Sequence, residues 1–76
     1  PNTTITEARE IAEKLRTLIE SRVFEHGGNT FGVTISQGLA EWPKHGVSSE
    51  EIIAAADAAL YRAKAAGRNC VVIAGS

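Results

Sequence analysis

The chain has 76 residues, 8 Lys and Arg against 9 Asp and Glu, a formal net charge of −1 and a single cysteine. That length allows one small domain, which buries only about 60% of its unfolded surface. The near-neutral charge gives no basis for nucleic-acid or anionic-membrane binding, Cys70 excludes an internal disulfide, and no apolar run approaches the ~20 residues that span a bilayer. With no signal peptide visible, these features point to a cytoplasmic, reducing setting, although an N-terminal region outside the chain could anchor a longer protein to a membrane.

Pro1 to Thr3 reads as a loop. Thr4 is an N-cap candidate and Glu7 its capping-box partner. Ile5, Ala8, Ile11, Ala12, Leu15, Leu18 and Ile19 follow the i, i+3, i+4, i+7 pattern, predicting a helix of about four turns that ends near Ser21. Its other face carries Glu10, Glu13, Lys14, Arg16 and Glu20, which as charged residues are expected to be solvated.

Val23 and Phe24 suggest a minor strand, and His26-Gly27-Gly28-Asn29 a turn in which glycine tolerates positive φ. Phe31 to Glu41 reads as the main strand, with Phe31, Val33 and Ile35 on one side and Thr34 and Ser36 on the other. Gly38 marks a bulge or a close helix approach. Trp42 is expected to pack over the sheet edge, and Pro43 to end the ladder. His26 and His45 stand in separate turns without carboxylate or thiol partners, which argues against a metal site at either.

Ser48 to Asn69 is the best-marked element. Ser48 and Glu51 form a second capping box, Val47 and Ile52 have the spacing of a hydrophobic staple, and Gly67 suits the left-handed residue that closes a helix. Ile53, Ala56, Leu60 and Ala63 predict a buried stripe of mostly small residues. A polar stripe carries Asp57, Tyr61 and Lys64 at i, i+4, i+7, with Arg68 four residues beyond. Cations at this end complement the helix dipole, and they could equally grip a polyphosphate, Lys as a point charge and Arg as a planar fork. Cys70 to Ala74 is an apolar run of strand length, and Gly75 and Ser76 end the chain.

Ala56-Asp57-Ala58-Ala59-Leu60-Tyr61-Arg62-Ala63-Lys64-Ala65-Ala66-Gly67-Arg68-Asn69 resembles the closing signature of GGDEF domains, the diguanylate cyclase family. Val33-Thr34-Ile35-Ser36-Gln37-Gly38-Leu39-Ala40 resembles the strand before that helix, and Trp42-Pro43-Lys44-His45-Gly46 the loop between them. Pro1 to Leu15 resembles the helix after the family's signature hairpin. The order and separations agree over nearly the whole chain, which makes the set far more specific than any one motif. Gln37 departs from the family's usual apolar residue and leaves the local packing open. Gly27-Gly28-Asn29-Thr30-Phe31 has glycines and a phenylalanine like the family's name motif, but lacks its acidic residues and lies in the wrong place.

The resemblance implies an α+β (α/β-like) fold, part of the palm-type nucleotide-cyclase architecture, ordered helix-strand-helix-strand with helices packed on a sheet. It implies that residues 1–76 are the C-terminal part of a GGDEF domain, because the family's metal-binding aspartate and signature hairpin lie upstream of the position matched by Pro1. The family condenses two GTP molecules into cyclic di-GMP and pyrophosphate with Mg²⁺ or Mn²⁺, between two domains that face each other, so a homodimer is expected. Lys64 and Arg68 match the positions that hold the terminal phosphates of GTP. Asp57 and Tyr61 match supporting positions, Asp57 by bonding the neighbouring loop and Tyr61 by packing. Lys14 lies near a basic residue of the product-inhibition site, whose Arg-x-x-Asp motif is absent from the chain. The segment alone is expected to bind no metal, to touch neither membrane nor nucleic acid, and to be inactive as a cyclase. The alternative is a degenerate GGDEF module that binds GTP or cyclic di-GMP without turnover.

Overall fold

A computed structural model of the chain describes residues 4–75; the loop expected over residues 1–3 lies outside them. Helix α1 spans Ile5–Glu20. Strands β1 (Phe24–His26) and β2 (Asn29–Phe31) form an antiparallel hairpin. Strand β3 (Gln37–Leu39), helix α2 (Ser49–Ala65) and strand β4 (Val71–Ile73) then complete the chain. β3 and β4 are parallel, in the register Gln37↔Val71, Gly38↔Val72, Leu39↔Ile73. Parallel neighbours need a crossover, and α2 provides it. Both helices pack on this pair and not on each other, so the strands lie between them.

Both capping boxes form. Thr4 Oγ1 accepts from the Glu7 amide at 3.1 Å, and the Glu7 carboxylate accepts from the Thr4 amide at 3.0 Å. Ser48 Oγ accepts from the Glu51 amide at 3.1 Å. The Glu51 carboxylate takes two amides, from Val47 at 2.8 Å and Ser48 at 3.2 Å. These bonds favour the ionised form, so both carboxyls titrate below the ordinary glutamate value, chiefly through the Thr4 amide for Glu7 and the Val47 amide for Glu51. Val47 itself stays exposed, so the staple gives it no cover.

The core is made of small side chains: Ala59 and Ala63 are 0% exposed, and Ala12, Val71 and Ala74 are also buried. Gly38 explains the choice. A Cβ there would collide with the Ala56 carbonyl and the Leu60 amide and lie 2.9 Å from Leu60 Cα. The helix backbone thus rests on the strand, and only glycine permits that approach.

Three expectations change. The buried stripe of α2 runs through Ala59 and Ala63, with Ala56 and Leu60 half-buried, while Ile53 is 61% exposed. The contact over Gly38 sets the rotation of the helix, and it turns Ile53 outward. The long strand shrinks to Gln37–Leu39, because β4 pairs with just those residues. Phe31 instead belongs to the hairpin, where it stacks on Phe24 at 5.8 Å between ring centroids. Trp42 is exposed and does not cover the sheet edge.

The turn expected at Gly27-Gly28 closes that hairpin, with φ of 61° and 84° as a primed two-residue turn requires. Gln37, the departure from the family pattern, ties β3 to α1: its Nε2 donates to the Ala12 carbonyl at 3.0 Å.

Candidate functional site

The C-terminal end of α2 is built by a Schellman-type closure. The Arg68 amide donates to the Ala63 carbonyl at 3.0 Å, and the Gly67 amide to the Lys64 carbonyl at 3.3 Å. Gly67 takes φ of 116°, as the left-handed position after the cap demands. Lys64 sits in the last turn of the helix and Arg68 just past it, both exposed. Among the described residues neither cation makes an ion pair or a side-chain hydrogen bond. Two cations at a helix C-terminus, open to solvent, can meet an anion without first breaking a bond.

Asp57 and Tyr61 lie on the same exposed stripe. Among the described residues no hydrogen bond ties Asp57 to the neighbouring loop. Tyr61 is 74% exposed, so its ring is not packed. Lys14 is exposed on α1, on the element opposite the strands from α2. His45 Nδ1 accepts from the Glu41 amide at 2.7 Å, a bond within its own turn, and His26 lies on β1 rather than in a turn. Among the described residues no three His, Cys, Asp or Glu side chains gather where they could hold a metal ion.

Two shallow clefts lie away from the cations. One of about 250 Å³ is lined by Thr4, Ile5, Ala8, Ala40, Glu41 and Trp42, and one of about 170 Å³ by Arg9 and β4. Both are smaller than a typical ligand pocket of about 300 Å³ or more. Lys64 and Arg68 are both exposed, so the cationic end is a surface site.

Four residues for which the sequence suggests no site role lie at or near this end, Arg16 and Glu20 among those expected to be solvated. Arg62, two residues before Lys64 on α2, buries Nε and Nη2 with no hydrogen-bond partner among the described residues. Arg16, Glu20 and Asn69 join α1 to the turn that carries Arg68. Arg16 Nη1 donates to Asn69 Oδ1 at 3.1 Å, and Asn69 Nδ2 donates to Glu20 Oε2 at 2.8 Å. The i, i+4 spacing of Arg16 and Glu20 was visible, but the partner across 53 residues in the chain was not. Their face of α1 is thus not simply solvated.

A parallel strand pair with a helix on each face, and an unpaired cationic helix end beside it, defines an α+β domain with a candidate anion-binding edge. The profile of the family described as "Diguanylate cyclase, GGDEF domain" matches residues 1–70, and the chain belongs to this family. It is 38% identical over 74 residues to the response regulator PleD of Caulobacter vibrioides, covering 95% of this chain and 16% of that protein. It is 35% identical to diguanylate cyclase A of Treponema denticola, covering 95% of this chain and 19% of that protein. The chain thus spans less than one fifth of the length of these relatives. Among solved structures, the GGDEF domain of DgcB from Caulobacter crescentus in complex with c-di-GMP superposes with a TM-score of 0.87 at 30% identity, covering 96% of this chain and 43% of that one. The α+β fold is therefore that of a GGDEF domain.

Proposed function

We propose that this chain is the C-terminal part of a GGDEF domain, and that Lys64 and Arg68 hold the terminal phosphates of GTP in a complete diguanylate cyclase. The observation that carries this is the pair of exposed cations, unpaired among the described residues, at one helix end of a GGDEF-family chain. In the reaction a 3′-hydroxyl attacks the α-phosphate of a second GTP and pyrophosphate leaves. Lys64 offsets charge that grows on the leaving pyrophosphate, and Arg68 clamps it with its planar fork. Asp57 and Tyr61, on the same exposed stripe, are the candidates for a supporting role, and Lys14 is the candidate for a product-inhibition contact. The reaction joins two GTP-loaded domains, so the working unit is a homodimer, and its use of GTP places it in the cytoplasm. Among the described residues no helix is long and apolar enough to cross a membrane.

Mg²⁺ or Mn²⁺ belongs to this chemistry, but the described residues offer no carboxylate cluster to hold it. The metal does not fit these residues. For the same reason residues 1–76 alone are expected to form no cyclic di-GMP: incubation with GTP and either metal should yield none above a protein-free control, and product above that control would overturn the expectation. The competing reading, a module that binds GTP or cyclic di-GMP without turnover, draws on the c-di-GMP held by the solved relative.

Kinetics on a complete GGDEF domain carrying this segment separate the two. Binding without product favours the module. In an active domain, Lys64→Ala lowers kcat by about 10², as for loss of one positioned charge-stabilising donor. Arg68→Ala also raises KM for GTP, because a bidentate clamp acts in the ground state. Near-normal values in both variants would return the pair to a dipole-matched helix end.

A further inference from the structure

Arg68 and Asn69 are consecutive non-glycine residues with positive φ, 64° and 50°. Side chains disfavour that region, Asn less than most residues. Such a conformation persists where the surroundings over-determine it. Asn69 supplies that constraint with three bonds. Its amide donates to Ser36 Oγ at 3.1 Å, its Nδ2 to Glu20 Oε2 at 2.8 Å, and its Oδ1 accepts from Arg16 Nη1 at 3.1 Å. Arg16 is itself held: its side chain is 19% exposed, and it pairs with Glu13 at 2.7 Å and with Glu20 at 3.4 Å. The turn after α2 is therefore fastened to α1 and to the segment entering β3, while the Arg68 side chain between these anchors stays free.

We propose that Asn69, braced by Arg16 and Glu20, is a positioning residue that holds Arg68 in its left-handed conformation and so aims the guanidinium at the phosphate shared with Lys64. This rests on the phosphate-binding role of Lys64 and Arg68. Without the brace, Arg68 relaxes toward negative φ, its Cα–Cβ bond swings, and the planar fork no longer meets the phosphate oxygens in register. A bidentate contact tolerates such a swing poorly.

The test is a double-mutant cycle in a complete GGDEF domain carrying this segment, with KM for GTP and inhibition by added pyrophosphate as readouts. Asn69→Ala should raise KM about tenfold while the far-ultraviolet circular dichroism is unchanged. In the Arg68→Ala background the same substitution should change KM no further, because the residue it positions is gone. Equal effects of Asn69→Ala with and without Arg68 would overturn the proposal, as would an unchanged KM in Asn69→Ala alone. A normal KM in Arg68→Ala by itself would instead remove the phosphate reading, and the positioning role with it. Should Asn69→Ala lose structure, Arg16→Met, one bond further from the turn, takes its place in the cycle: coupling to Arg68 supports the brace and additivity overturns it.

Discussion

The two helices begin alike and end differently. Each opens with a complete capping box. α1 carries the stronger apolar stripe, yet Ala12 is its one buried residue, and Ile11, Leu15 and Leu18 are exposed. α2 has a weaker stripe of alanines, yet Ala59 and Ala63 lose all contact with water. Within this chain, burial does not follow the width of the apolar face. What decides it is how closely the partner surface approaches, and at α2 the missing side chain of Gly38 brings the backbones together.

The sharpest way to break this contrast is to fill that gap. Gly38→Val should destabilise the fold by about 3 kcal/mol, the upper range for overpacking, and urea denaturation of the chain would measure it. A midpoint near that of the unaltered chain would show that α2 does not rest on β3 as described. Ala59→Leu tests the same contact from the helix side, with an expected loss of about 1–3 kcal/mol. Ile11→Ser on the exposed face of α1 should stay within about 0.5 kcal/mol, as surface changes do. If the two substitutions cost the same, the difference between the helices is not one of packing.

The exposed apolar side chains of α1, and separately those of Phe24 and Phe31 on the hairpin, favour self-association, so sedimentation of residues 1–76 should give a concentration-dependent mass rather than a fixed monomer. At the caps the helices should behave alike. Ser48→Ala is expected to cost about 1 kcal/mol, and Thr4→Ala a similar amount.

The smallest effect is in acid. The folded Glu7 and Glu51 carboxyls titrate below their ordinary value, so their contribution to stability is complete above the unfolded pKa and is lost as pH falls through the folded one. Glu51→Gln keeps the box geometry and should flatten part of that loss in a pH series of thermal melts. An unchanged pH slope would mean the carboxylate is not the group that titrates.

Sequence alone determined what depends on neighbours a few residues apart. The caps at Thr4 and Ser48, the closure at Gly67, the glycine turn, the exposed places of Lys64 in the last helical turn and of Arg68 just past it, and the family itself were all readable, because capping and turn preferences act within three or four residues. The tertiary structure decided what depends on distant surfaces. It chose Ala59 over Ile53 for the core, because helix rotation follows the Gly38 contact. It cut the main strand to three residues, because a ladder extends only as far as its partner. It also drew Asn69 to Ser36, Glu20 and Arg16, since a hydrogen-bond partner 33 to 53 residues away leaves no periodic trace in the chain.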